Sequence, residues 1–255
     1  METALTVIFG LIIGSFLNVV IHRLPLGENV VFPPSHCPRC RTDIPFYHNL
    51  PLLSYLFLRG RCHSCHGVIS AQYPLVEFFC AFSFWLALRA FGLTPSGVAA
   101  AVFICLLITL AAIDLEHMIL PDELTLGGAA LFFAYSFFNP VVGQLDAVLS
   151  GLGAALLFSG FYFFYLKVRK LEGLGFGDVK MVLLMGLFLG LQRLVVAIFL
   201  ASLSGLLVGI FFMIFKKKNL TYALPFGPFL SLGSYIALFW GPAILAWLGS
   251  LWQGS

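Results

Sequence analysis

Two aspartates stand at the edges of long apolar runs, where a charged side chain is costly. Asp114 follows the run 98–113 in the segment AAIDLEHMILPDE, and Asp178 opens another run in the segment GLGFGDVK. A carboxylate beside hydrocarbon is tolerated when it lines a wet cavity, pairs with another group or shares a proton. Two such groups on separate segments therefore predict acid–base chemistry at a membrane face.

Each aspartate also has a purely structural interpretation. Asp178 precedes an apolar run and could cap a helix N-terminus, with Lys180 as a membrane-interface anchor. Asp114 ends a helical run, where the helix dipole disfavours a carboxylate, so it would need a basic partner, of which His117 is the nearest. Asp122 follows Pro121 and is interpreted as the cap of the next helix.

Taken together, the two aspartates match the needs of an aspartic protease. Such an enzyme holds two carboxylates close enough to share one proton, so that one activates water while the other protonates the peptide carbonyl. Sequence spacing alone does not establish that Asp114 and Asp178 meet. Both must at least reach the same face of the membrane.

A second chemical cluster consists of four cysteines in two CxxC pairs, CPRC and CHSC, separated by 21 residues. This spacing resembles a four-cysteine zinc ribbon, in which the metal replaces the core that so short a segment lacks. Metal-free redox thiols are the alternative. Four thiolates leave no open position, so a zinc ion here would be structural. The predicted ligands are Cys37, Cys40, Cys62 and Cys65, whereas the flanking His36, His63 and His66 are expected outside the ligand set.

The elements that must position these groups are membrane helices. The chain has 255 residues, of which 60% are hydrophobic and only 10% charged, with a mean hydropathy of +1.01. This composition predicts an all-α polytopic membrane protein whose principal surroundings are the lipid bilayer. A net charge of +3 does not suggest a nucleic-acid partner, and the sequence leaves the oligomeric state open.

Eight apolar runs predict about eight transmembrane helices, the first retained as a span and not removed as a signal peptide. They cover residues 4–22, 75–91, 97–113, 124–139, 147–166, 179–191, 194–215 and 226–250. With eight spans, 12 of the 14 Lys and Arg residues fall on one side, and only Arg89 and Arg193 near the other. The positive-inside rule makes the first side cytoplasmic and both termini periplasmic or extracellular. The twelve are Arg23, Arg39, Arg41, Arg59, Arg61, Lys167, Arg169, Lys170, Lys180, Lys216, Lys217 and Lys218.

This topology divides the chain into three parts. Residues 1–22 form the first transmembrane helix, residues 23–74 a small cytoplasmic zinc-binding domain, and residues 75–255 a seven-helix membrane domain that carries the aspartates. Gln192 and Arg193 split the run 181–215 into two spans, of which the first is short even if it begins at Asp178. A short span beside a candidate site indicates a thinned or water-filled region.

Six motifs in order resemble one known family, the bacterial prepilin peptidases, also called type IV leader peptidases. They are GSFLNVVIHRLP at 14–25, the CPRC and CHSC pairs, ISAQYPLVE at 69–77, AAIDLEHMILPDELT at 111–125, GLGFGDVK at 173–180 and LPFGPFL at 224–230. The resemblance implies that Asp114 and Asp178 are the catalytic dyad of a GxGD-type aspartic endopeptidase of the inner membrane. Its substrates would be type IV prepilins or pseudopilins, cleaved after the basic leader on the cytoplasmic side.

The resemblance also implies a second activity. Full-length members methylate the new N-terminal residue with S-adenosylmethionine, and the four-cysteine module marks these bifunctional members. No Gly-rich nucleotide motif reveals the residues that bind this methyl donor, so they stay unassigned. A peptidase without methyltransferase activity, a cation-coupled transporter and a non-catalytic zinc-ribbon scaffold remain the alternatives.

Several acidic residues have two possible roles. They could attract the basic leader or simply be solvated loop charges: Glu28, Glu116, Asp122, Glu123 and Glu172. Glu77 lies at the start of the second span, where it could face the same cavity as the two aspartates or pair with a loop arginine.

Overall fold

The computed structural model describes residues 2–169, 175–216 and 224–253. Lys170, Glu172, Lys217 and Lys218 lie outside them. Within these ranges the chain is helical, and its only β-pairings are two isolated bridges, His36–Asp43 and Arg61–Val68. The α-helices are α1 (Glu2–Arg23), α2 (Leu53–Phe57), α3 (Gln72–Phe91), α4 (Pro95–His117), α5 (Asp122–Ser136), α6 (Gln144–Arg169), α7 (Phe176–Lys216) and α8 (Gly227–Gln253).

All eight apolar runs form helices, which confirms the all-α polytopic prediction. Six helices among the described residues are long and apolar enough to span a membrane: α1, α3, α4, α6, α7 and α8. The sixth run forms the first part of α7, which continues through a break at Gly190 (φ 71°, ψ 174°) into the seventh run. The remaining run forms α5, which has only 15 residues. The break in α7 precedes the Gln192–Arg193 boundary expected from the sequence.

Two short helical segments pack together in the C-terminal half. The 15-residue α5 contacts α7, whose first part, up to Gly190, is equally short. At 1.5 Å per residue each segment is about 22 Å long, less than the roughly 30 Å of bilayer hydrocarbon. Their shortness agrees with the expected thinned region near Asp178.

The chain divides into two units, Met1–Thr109 and Leu110–Ser255. In the first unit, α1 packs on α3 with its glycines against the partner backbone. A Cβ on Gly10 would lie 2.8 Å from the Cα of Ala81, and one on Gly14 would lie 2.7 Å from the Cα of Glu77. Only glycine permits so close an approach, which brings polar residues of α1 and α3 into contact near the polar loop between them.

In the second unit, α7 packs against α5, α6 and α8. Close backbone approaches again hold the helices. A Cβ on Gly186 would lie 2.6 Å from the Cα of Gly151 on α6, and one on Gly233 of α8 would lie 2.2 Å from the carbonyl oxygen of Ala197. The first part of α7 is therefore held on several sides, which fixes the position of the residues at its start.

Asp146 explains how α7 tolerates a break inside an apolar region. Its Oδ1 accepts hydrogen bonds from the backbone N–H of Leu191 at 3.2 Å and from the Ser150 hydroxyl at 3.0 Å. A Cβ on Gly190 would lie 2.6 Å from Oδ2 of the same carboxylate. Asp146 thus satisfies a donor freed by the break, as an N-cap does at a helix start.

Candidate active site and metal centre

Asp114 lies near the C-terminal end of α4 with only 6% of its surface exposed. Its Oδ2 accepts a buried hydrogen bond of 2.8 Å from the backbone N–H of Gly227, the first residue of α8. The expected pairing with His117 is wrong, because the described contact of that ring is with Glu116, at 3.8 Å. A helix N-terminus, with its positive dipole end, therefore takes the place of a basic side chain.

Asp178 is the third residue of α7 and is also 6% exposed. Its Oδ2 accepts the backbone N–H of Gly175 at 3.2 Å. The carboxylate therefore reaches back toward the start of its own helix, as the third residue does in a capping box. Asp178 therefore does satisfy a free N–H at the helix start, as the capping interpretation expected. It does so from inside the helix and not from the N-cap position.

The two carboxylates lie near one another in the second unit. They are close enough for a Coulombic interaction between Asp114 and Asp178. Leu120 contacts two glycines, Gly177 next to Asp178 and Gly227 next to the Asp114 carboxylate. A Cβ added to Gly177 would lie 3.0 Å from the Cβ of Leu120, and a Cβ added to Gly227 would lie 3.1 Å from its Cδ2. Leu120 is itself 9% exposed. The fold therefore brings together two aspartates that the sequence separates by about 60 residues.

An ion pair next to this neighbourhood joins the starts of α5 and α7. The ammonium of Lys180 contacts Oδ1 of Asp122 and lies 5.2 Å from the centroid of the Phe176 ring. The prediction that Asp122 caps α5 is wrong, because Pro121 occupies the cap position and no side-chain cap bond forms. Sequence reasoning missed this pair, although both residues belong to the motifs that carry the aspartates.

The other acidic residues that were considered for leader attraction are exposed. Glu28, Glu116 and Glu123 are all solvent-facing, which suits either solvated charge or a weak attraction. Glu172 lies outside the described residues. Glu77, by contrast, is buried in the first unit.

The four cysteines form one cluster in the first unit. The Sγ atoms of Cys37, Cys40, Cys62 and Cys65 all lie within 4.8 Å of one another, and those of Cys37 and Cys65 are 3.9 Å apart. Tetrahedral Zn²⁺ with Zn–S bonds of about 2.3 Å would place its ligands about 3.8 Å apart. The thiols are free, not paired as disulfides, and none of the flanking histidines belongs to the cluster. The residues present therefore fit a metal ion.

Both CxxC turns have the same local construction. In the first, the N–H of Arg41 donates to the carbonyl of Cys37 at 2.8 Å, and in the second that of His66 donates to Cys62 at 3.0 Å. Arg41 and His66 each adopt a positive φ, 56° and 54°. Each turn is closed by one isolated antiparallel bridge. The repeated geometry points both thiol pairs at one centre.

Hydrogen bonds, desolvation and neighbouring thiols shift the pKa values of the clustered cysteines. The hydroxyl and then the backbone N–H of Thr42 lower the pKa of Cys40 to about 6. The N–H of Gly67 lowers the pKa of Cys65, but desolvation and the neighbouring thiols outweigh it and raise that pKa to about 11. Four thiolates at this spacing repel one another, and a divalent cation would offset the repulsion.

Two family models match the chain. The Bacterial Peptidase A24 N-terminal domain matches residues 8–91, and the Type IV leader peptidase family matches residues 101–210. The four-cysteine cluster lies in the first matched range, and both aspartates lie in the second. No solved structure gives a significant match.

Several curated bacterial proteins named prepilin leader peptidase/N-methyltransferase are similar over nearly their whole length. One from Aeromonas salmonicida (strain A449) is 37% identical over 274 residues, covering 96% of this chain and 92% of that protein. One from Legionella pneumophila is 35% identical, covering 96% and 94%. One from Pseudomonas aeruginosa is 36% identical, covering 94% and 90%.

Proposed function

The chain belongs to the type IV leader peptidase family, and from this premise we propose that it cleaves the leader of type IV prepilins or pseudopilins and then N-methylates the new N-terminal residue. It is a multi-pass protein of the inner membrane, as its apolar helices indicate. Membership in this family disfavours the cation-coupled transporter and the non-catalytic scaffold.

Asp114 and Asp178 are the proposed catalytic dyad. The observation that supports this assignment is that both buried carboxylates share one neighbourhood, each with one oxygen occupied by a backbone N–H. No described residue donates a hydrogen bond to the other oxygens, which leaves them for a water and a shared proton. One carboxylate removes a proton from the attacking water while the protonated carboxyl donates to the scissile carbonyl.

The scissile bond is proposed to reach this dyad at the cytoplasmic face. A prepilin carries an apolar helix behind a basic leader, so the helix can lie among the spans with its leader in the cytoplasm. The concentration of Lys and Arg in the connections on that side supports the orientation, with both termini on the opposite side. The short α5 and the short first part of α7 would let water approach the dyad.

The four cysteines are proposed to hold a structural zinc ion in a cytoplasmic domain of residues 23–74. The donor set and the Sγ separations support this assignment. Because all four ligand positions are thiolates, the ion would organise the domain and take no part in hydrolysis. Residues 1–22 and 75–255 would then form the membrane-spanning parts.

S-adenosylmethionine is the proposed methyl donor. When bound, it supplies an activated methyl group on a sulfonium centre. The names of the relatives support methyl transfer as an activity.

A direct experiment tests both activities at once. Purified protein in detergent is incubated with a synthetic prepilin and S-adenosylmethionine, and product masses report leader removal and an added methyl group. Asp114→Asn and Asp178→Asn should each reduce cleavage by about 1,000-fold, within the range of general acid–base catalysis, while a pre-cleaved pilin is still methylated. Near-normal cleavage by either variant would reject the dyad. Absence of methylation by the wild type would restrict the function to peptidase activity.

A further inference from the structure

A third buried carboxylate belongs to the first unit and takes no part in the proposed hydrolysis. Glu77 is 8% exposed and belongs to α3, five residues after its start at Gln72. At 1.5 Å per residue it lies about 7.5 Å along the helix from that start. An ionisable group in a membrane helix is a functional candidate when nothing neutralises it.

The partners of Glu77 are hydrogen-bond donors. Its Oε2 accepts the backbone N–H of Leu52 at 2.7 Å, and the hydroxyl of Ser15 on α1 also bonds to its side chain. Leu52 adopts a positive φ of 58°, an unusual conformation for a leucine. Both donors can bond an ionised carboxylate, which accepts hydrogen bonds only.

No positive charge of the described chain neutralises this carboxylate. Among the described residues, no Lys, Arg or His lies within ion-pair distance of Glu77. Of the two roles considered for Glu77, pairing with a loop arginine is therefore not found in that part of the chain. Arg23, which is buried in the same unit, donates instead to the carbonyls of Asn29 and Pro34 at 3.1 and 3.2 Å. A buried carboxylate without a counterion is costly to ionise, and a cation from outside the chain would stabilise its ionised form.

We infer that Glu77 forms the anionic part of the methyl-transfer site and pairs with an organic cation of that reaction. This inference rests on the proposed methyltransferase function, for which no residue is yet assigned. Both reactants can carry positive charge next to the transferred methyl: the donor as a sulfonium and the pilin N-terminus as an α-ammonium. A buried carboxylate with no internal counterion suits either cation.

Methyl transfer requires the α-amino nitrogen of the pilin in its neutral form. The α-ammonium releases one proton to water and becomes a neutral amine with a free electron pair. The nitrogen then bonds to the methyl carbon as the carbon–sulfur bond breaks, and the electrons of that bond remain on sulfur, which becomes a neutral thioether. The nitrogen acquires the positive charge that the sulfonium loses and becomes a secondary ammonium. Positive charge therefore stays near Glu77 throughout.

The position of Leu52 connects this carboxylate to the cysteine module. Leu52 lies between the two CxxC turns in sequence, just before the short helix α2. The segment around it is fixed by the Ser54 hydroxyl, which accepts the N–H of Leu50 at 2.9 Å and bonds to the carbonyl of Tyr47. A metal ion that orders the module would thereby also order the donor to Glu77.

The test uses Glu77→Gln in the full-length purified protein. The glutamine carbonyl still accepts the N–H of Leu52, so the substitution removes the charge but keeps that hydrogen bond. Glu28→Gln, an exposed change of equal charge in the same unit, is the matched control. The measurements are cleavage of a synthetic prepilin, methylation of a pre-cleaved pilin, S-adenosylmethionine binding by equilibrium dialysis, and bound zinc.

Glu77→Gln should lower methylation by about 30-fold, as expected for loss of one partner of a buried charge pair, with cleavage and zinc unchanged. A matching loss of S-adenosylmethionine affinity would identify the sulfonium as the cation. Unchanged donor affinity with a raised KM for the pilin would identify the α-ammonium.

Two results would overturn the inference. Methylation at the rate of the Glu28→Gln control would show that the charge is not needed. Joint loss of cleavage, methylation and zinc would show that Glu77 only holds the fold together. Failure of the wild-type protein to methylate would instead reject the methyltransferase function, and with it the basis of the inference.

Discussion

Each of the two units buries carboxylates in membrane helices, but in different numbers. The C-terminal unit places Asp114 and Asp178 near each other, whereas the N-terminal unit buries Glu77 without another acid or a base in ion-pair contact among its described residues. A pair can reduce its charge internally, because one proton can serve both groups. A single ionised carboxylate must find its counter-charge elsewhere. The same burial therefore suits acid–base hydrolysis in one unit and cation binding in the other.

The backbone donors that hold these groups also differ. Asp114 and Asp178 accept N–H groups of glycines, and a Cβ on either glycine would approach the carboxylate to within 3.2 Å or less. Glu77 accepts a hydrogen bond from the N–H of Leu52, which lies between the two CxxC turns in sequence. The dyad is thus held by close helix packing, and Glu77 by a loop. Substitutions that disturb the glycine contacts should therefore impair cleavage, and substitutions in the cysteine module should impair methylation.

Removal of the metal ligands should produce the largest effect on the N-terminal region. A Cys62→Ser/Cys65→Ser double variant leaves two of four thiolates, and because structural zinc contributes about 10–16 kcal/mol to such modules, the module should lose its order. Methylation should fall below detection, while prepilin cleavage stays within about threefold of wild type. Metal content, methylated product and cleaved product are measured together by mass spectrometry.

His63→Ala is the matched control for this variant, since His63 lies between the same two cysteines but outside the ligand cluster. It should keep the metal and both activities. Loss of cleavage alone with zinc still bound would contradict the proposed division between the two regions.

Gly227→Ala should damage the dyad selectively. The added methyl would lie 2.7 Å from Oδ2 of Asp114 and 3.1 Å from Cδ2 of Leu120, so the carboxylate must move. A displacement of about 1 Å at a reacting group can cost about 100-fold, and we expect a loss of that size in kcat for cleavage. Methylation of a pre-cleaved pilin should be unchanged.

Gly127→Ala on α5 controls for the substitution itself, because no atom lies within 4 Å of its added methyl. Cleavage by Gly227→Ala at the rate of this control would show that the N–H contact to Asp114 does not matter.

Reversal of the Lys180–Asp122 ion pair should have the smallest effect. The Asp122 side chain is 57% exposed, so solvent screens the pair and its contribution is about 1 kcal/mol or less. Lys180→Glu places like charges together next to the dyad and should lower kcat/KM for cleavage by about fivefold. The double variant Asp122→Lys/Lys180→Glu should recover most of this loss, as a double-mutant cycle would measure.

The exposed Lys167 on α6 offers a control, since Lys167→Glu makes the same charge change at a residue that is not part of this pair. Equal losses in the single and double reversals of Lys180 would indicate that the ion pair does not position the start of α7.

The features that sequence reasoning predicted correctly are those encoded locally. Hydrophobic runs of helix length became helices because burial in a bilayer requires each segment to satisfy its own backbone. The cysteine cluster followed from two CxxC turns, each of which brings its own pair of thiols together. The position of the break in α7 was less accurate, because Gln192 and Arg193 are visible in the sequence whereas the hydrogen bond from Asp146 to Leu191 is not.

The incorrect predictions all concerned partners of charged groups. Asp122 was expected to cap its own helix, His117 was the nearest basic partner considered for Asp114, and a loop arginine was one of two possibilities for Glu77. In each case the expectation chose a neighbour along the chain or the nearest loop charge. The observed partners of Asp114 and Asp122, Gly227 and Lys180, lie 113 and 58 residues away.

The amino-acid sequence by itself determined the helical segments, the four clustered thiols and the identity of the acids that lie against apolar surroundings, because hydropathy and short-range turns are properties of continuous segments. Only the tertiary structure decided that Asp114 and Asp178 share a neighbourhood while Glu77 is left without a counter-charge in the described chain. The physical reason is that such encounters depend on how closely helices pack, and that packing is set by glycines and backbone donors distant in sequence from the charges they serve.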